Sequence, residues 1–132
     1  MIAEILAKKP KYIILDEPTT MIDSEGKEAI YKIIRKLKKQ GYGVICITNL
    51  ADEILLADRT LILNNGTIEV EIKKDELIKK AYLLEKFNIR QPTLLKILTE
   101  LNKNKIKIDL KEFTVDELVK DLKGRLNNEK YN

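Results

Sequence analysis

A chain of 132 residues, 44% hydrophobic and 35% charged, has enough apolar material for one core and carries a well-solvated surface. It has no apolar run near the ~20 residues of a membrane span and no signal-peptide pattern at its start. Its single cysteine, Cys46, excludes an internal disulfide. The net charge of +4 comes from 25 basic and 21 acidic residues. Lysines interleave with glutamates along helical segments, which reads as solvated faces rather than a nucleic-acid footprint, and without histidine a zinc site lacks its usual ligands.

Residues 2–8, IAEILAK, have the pattern of a helix end stopped before Pro10. Tyr12 to Leu15 is a short apolar strand closed by Asp16. From Ser24 to Gln40, Ala29, Ile30, Ile33, Ile34 and Leu37 recur at helical spacing. Asp23 is the expected N-cap of that helix and Gly41 its end. GVICIT (43–48) is a near-continuous apolar run that suits a strand covered on both faces, with Cys46 as a buried filler. Strand, helix and strand at this spacing predict a βαβ unit with parallel strands. A short helix is expected at 50–56, with Asn49 as N-cap and Asp52 and Glu53 in its first turn.

RTLIL (59–63) and TIEVEI (67–72) flank NNG, a hairpin signal. From Lys74 the pattern becomes helical, over about 75–87, 93–103 and 114–126. The second of these carries Leu94, Leu95, Leu98 and Leu101 on one stripe, and the third opens with Thr114 and Glu117 spaced as a capping box. The expectation is an α/β part over residues 1–73 followed by a helical C-terminal region over residues 74–132.

The adjacent carboxylates Asp16 and Glu17 stand at the carboxyl end of the first strand, where open α/β sheets place their ligands. Two neighbouring negative charges repel, and both need compensation. A divalent cation on the first compensates it, and the second can then orient or deprotonate a water beside a phosphate. That is the chemistry of nucleoside triphosphate hydrolysis. The plainer alternative is an ordinary βαβ unit whose aspartate caps the next helix.

YIILDEPTTMID (12–23) resembles the Walker B and D-loop block of ABC ATPases. GVICITNLADEILLADRTLILNNGTIEVE continues that pattern as a strand, a switch loop, a helix bearing Asp-Glu, then ADR and a hairpin. MIAEILAKKPK is similar to the helix that follows the family's signature motif. The resemblance covers about residues 1–73 and implies a partial P-loop NTPase of α/β class, a parallel sheet with a β-hairpin, followed by a C-terminal helical region. It implies ATP and Mg²⁺, with Asp16 holding the metal through water and Glu17 as the catalytic group that polarises the attacking water. It makes Asp23 the D-loop aspartate facing a partner subunit. Asn49 stands where the family has its switch histidine; its amide can donate one hydrogen bond to a γ-phosphate but carries no positive charge.

MID and the tail FNIRQPTLLKILTEL are most similar to the ATPase subunits of energy-coupling-factor transporters, which serve vitamin and transition-metal uptake. This implies pairing with a second ABC ATPase subunit, identical or different, and with a transmembrane coupling protein, without nucleic acid. The implied location is cytoplasmic, peripheral on the inner face of the cell membrane.

Several of the family's parts are missing from this sequence. Its five glycines, at 26, 41, 43, 66 and 124, do not fit G-x-x-x-x-G-K-[ST]. There is no glycine pair for a signature loop, Ser24 is the only serine, and the Q-loop is missing too. The chain therefore resembles the C-terminal half of an ATPase domain, a split or truncated product, and is expected not to hydrolyse ATP alone. The alternative is a non-catalytic interaction module that docks on an intact ABC ATPase. An ATPase of DNA repair or chromosome maintenance fits less well, because zinc-finger cysteines and coiled-coil heptads are missing.

Overall fold

The computed structural model describes residues 10–106, 108 and 110–129, so the helix expected over 2–8 lies outside the described residues. Strand β1, Tyr12–Asp16, and strand β2, Gly43–Ile47, pair in parallel with Tyr12 opposite Gly43 and Asp16 opposite Ile47. Helix α1, Ser24–Lys39, makes the crossover. It starts where expected, because the Asp23 carboxylate accepts from the Gly26 amide at 2.8 Å, satisfying one of the helix's orphan donors. Glu25 in the first turn and Lys36, Lys38 and Lys39 in the last complement the helix dipole.

The sheet alternates as a strand must. Ile13 is buried with Ile34 and Leu37 of α1. The opposite face is bare: Tyr12, Ile14, Ile45 and Ile47 are 71%, 63%, 48% and 53% exposed. Two-face burial, expected of β2 from its apolar run, is thus not seen among the described residues. Cys46, expected to be a buried filler, is exposed. The reason is the same for both: the sheet has two strands among the described residues, too few to enclose either face fully.

After a 3₁₀ helix at Ala51–Leu56, strands β3, Arg59–Asn64, and β4, Thr67–Lys73, form the antiparallel hairpin. Its two-residue turn holds Asn65 at φ 49° and Gly66 at φ 80°, both left-handed, as a type I′ turn requires and as Asn-Gly supplies at least cost. The register shifts between Ile62 and Leu63, where Ile62 faces Val70 and Leu63 faces Ile68, leaving Glu69 as the extra residue of a bulge.

The helix expected over 75–87 is interrupted. A 3₁₀ turn at Lys74–Glu76 leads into α2, Leu77–Lys80, and then α3, Tyr82–Lys86. At the break, the Ala81 carbonyl accepts both the Leu84 amide at 3.1 Å and the side-chain amide of Gln91 at 3.1 Å, so the ladder tightens there instead of running on. Helices α4, Thr93–Lys103, and α5, Val115–Glu129, follow. Thr114 caps α5 by accepting the Glu117 amide at 3.3 Å. The Thr114 amide itself goes to the Glu112 carbonyl, so the expected box is present as its threonine half.

The chain divides into two compact units, residues 1–49 and 50–132. This boundary differs from the change of pattern near residue 73, because the hairpin shares a core with the helices: Ile62 and Ile72 pack with Leu77, Ala81, Leu84 and Leu95. Leu94 and Leu98 join Leu118 in a second cluster, with Leu101 and Leu122 against it. The leucine stripe of α4 is therefore consumed inside its own unit. Among the described residues no helix is long and apolar enough to cross a membrane.

Candidate functional site

All four candidate residues, Asp16, Glu17, Asp23 and Asn49, belong to the first compact unit. Parallel pairing brings the carboxyl ends of β1 and β2 side by side, so Asp16 and Glu17 close one strand where Asn49 lies just beyond the other. The Asp16 side chain is exposed. The ladder runs one residue past it, since the Glu17 amide donates to the Ile47 carbonyl at 2.8 Å.

There the backbone turns sharply. Glu17 adopts φ 46° and Met21 φ 60°, left-handed values that cost a non-glycine residue roughly 1 kcal/mol or more and cluster at functional sites. The loop is held by its own bonds. Thr20 N donates to the Glu17 carbonyl at 3.2 Å, and Ile22 N to the Thr19 carbonyl at 3.3 Å. The Thr20 hydroxyl donates to Glu17 Oε2 at 2.8 Å. Thr19 is wholly buried, whereas Met21 at the tip is fully exposed. Asp23 then turns the loop into α1 by capping it.

Asn49 is exposed and does not cap the following turn, as the sequence led one to expect. That turn begins one residue later: Leu50, with extended φ −89° and ψ 109°, is its cap residue, and no side chain bonds its first amides. Sequence reasoning missed Thr20. Its signal was a hydroxyl three residues after an acidic one at a strand end, a spacing that local side-chain bonds favour.

A divalent cation is implied by the carboxylate pair. No group of three or more His, Cys, Asp or Glu is placed to enclose one among the described residues. Mg²⁺ does not need such a cage, since it keeps several waters and takes one or two carboxylates plus substrate phosphates. The exposed, hard-oxygen donor Asp16 fits that requirement.

No protein-family model matches the chain. The energy-coupling factor transporter ATP-binding protein EcfA1 of Ligilactobacillus salivarius is 40% identical over 119 residues, 89% of this chain and 42% of that protein. Among solved structures, cbiO1 of Clostridium perfringens, described as part of the ABC transporter complex cbiONQ, matches 73% of this chain and 39% of its own with a TM-score of 0.52 and 26% identity. The ATP-binding cassette MJ0796, solved as a dimer bound to ADP and Pi, matches 55% of this chain and 32% of its own with a TM-score of 0.51 and 32% identity. The chain spans less than half the length of these relatives. Over that span the chain is similar in sequence to ABC ATP-binding subunits of the energy-coupling-factor type, and its fold is that of a partial ABC ATPase domain.

Proposed function

We propose that the chain supplies the Asp16–Glu17 half of an ATP-hydrolysing site in an ABC transporter of the energy-coupling-factor type. The observation that carries this reading is Glu17, set directly after a strand-end aspartate and fixed by its amide to Ile47 and its carboxylate to Thr20. Asp16 would hold Mg²⁺, which when bound would supply charge stabilisation at the phosphate oxygens. Glu17 orients and polarises the attacking water. Asn49 offers one neutral amide to the terminal phosphate, and Asp23, beyond its capping bond, faces a partner ATPase subunit. A transmembrane coupling protein completes the assembly at the inner face of the cell membrane, in keeping with the complex named for the cbiO1 relative.

Phosphoryl transfer is accelerated by holding and neutralising the phosphoryl group, and this sequence has no P-loop glycines to hold it. The chain alone should release phosphate no faster than buffer. Adding a polypeptide that carries the P-loop and signature should restore MgATP binding and then turnover. In that mixture Glu17→Gln should abolish turnover while sparing ATP binding, and Asp16→Asn should weaken Mg²⁺-dependent binding itself. Glu17-dependent turnover by the chain alone would overturn this reading. A non-catalytic docking module is the second reading, favoured by the neutral Asn49 in the switch position; ATP binding by the mixture without any turnover would select it.

A further inference from the structure

We propose that Thr20 is a positioning residue for Glu17, fixing through its hydroxyl the carboxylate that polarises the attacking water; this rests on the reading of Glu17 given above. A glutamate at a strand end has three side-chain torsions, and a half-buried one such as Glu17 can still sample several directions. Here the backbone of Glu17 is pinned twice, by its amide to the Ile47 carbonyl at 2.8 Å and by its own carbonyl to the Thr20 amide at 3.2 Å. Those bonds fix where the side chain starts and leave open where it ends. The Thr20 hydroxyl fixes the end, donating to Oε2 at 2.8 Å. That bond is charge-assisted, the stronger kind. It occupies one carboxylate oxygen and leaves Oε1 to a water.

The geometry that makes this possible is the left-handed turn at Glu17, φ 46°. It folds the chain back so that residue 20 returns to residue 17. Thr20 can hold its place because the loop is anchored before it at Thr19 and after it at Asp23. Thr19 is wholly buried, and Asp23 is tied to the start of α1 through the Gly26 amide at 2.8 Å. Met21, between those anchors, is fully exposed and itself left-handed, and it follows the bond rather than preceding it. Thr20 touches no reacting atom in this arrangement; it acts through Glu17.

A loop-stabilising hydroxyl and a positioning hydroxyl differ in what they change. The first lowers the amount of folded protein, read by denaturation; the second lowers kcat per folded molecule at unchanged KM. In the chain complemented by a P-loop polypeptide, Thr20→Val should lower kcat about ten-fold while KM stays within about two-fold, a fraction of what a general base supplies. Thr20→Ser, which keeps the hydroxyl, should restore most of the rate. On the full chain alone, the Glu17 side-chain couplings measured by NMR should report one rotamer in the wild type and in Thr20→Ser, and averaging in Thr20→Val. Unchanged kcat and unchanged couplings in Thr20→Val, with turnover still abolished by Glu17→Gln, would overturn the role of Thr20 and leave Glu17 standing. Turnover that survives Glu17→Gln would overturn both.

Discussion

At the scale of single residues, Asp23 has two roles that can be separated. Its capping bond to the Gly26 amide is structural, whereas facing a partner is a proposed role. Asp23→Ala should lower the stability of the first unit by about 1 kcal/mol, as the loss of a helix cap does. Asp23→Ser keeps a capping oxygen and should recover most of that loss in chemical denaturation while still lacking the carboxylate. Glu76 gives a pH test. Its carboxyl lies below the ordinary value of 4.5, first because of the side-chain hydrogen bond with Lys80 and also because of the backbone amide of Lys73. A depressed folded-state value means that the contribution is complete above the ordinary carboxylate range and is lost as pH falls through the lowered value. The pair is exposed, so the effect belongs to the local turn and not to global stability. Carbon-detected titration should place Glu76 below the ordinary value of 4.5, and Lys80→Ala should bring it back toward that value.

At the scale of elements, the parallel pair β1–β2 leaves Tyr12, Ile14, Ile45 and Ile47 exposed on one face, and apolar strands left open tend to find other chains. Light scattering on the purified chain should show association, and Ile45→Lys, placed on that face, should reduce it. A clean monomer in the wild type would mean that the face is covered. The elements were largely legible in the sequence because their signals are local. Asn65-Gly66 dictates its turn through the φ values it tolerates, Asp23 announces the start of α1, and the leucine spacing marks α4. What escaped depends on partners distant in sequence. The break at Ala81 needs Gln91, ten residues on, and the exposure of Cys46 depends on how many strands the sheet has. At the site, the placement of Asp16 and Glu17 followed from strand and spacing, but the Thr20 bond depends on a backbone turn that no hydrophobic pattern encodes.

At the scale of the whole molecule, residues 1–49 and 50–132 form separate compact units, and the second has its own core around Leu84, Leu95 and Ile72. Unfolding in denaturant should therefore depart from a single two-state transition. Leu95→Ala, which empties a fully buried position, should cost about 2–5 kcal/mol and shift the transition of the second unit alone; an equal shift of every probe would show one cooperative body instead. The same division bears on how such a chain can change over generations. Asp16, Glu17, Asp23 and Asn49 all lie in the first unit, whereas the leucines of α4 answer only to the packing of the second. A lineage can rewrite the second unit, its length, charge and exposed face, under whatever selection its surroundings impose, without touching the residues proposed to serve the phosphate. Inheritance of the proposed chemistry and inheritance of the second unit are separable, so descendants should vary fastest after residue 49 while YIILDEPTTMID stays nearly fixed.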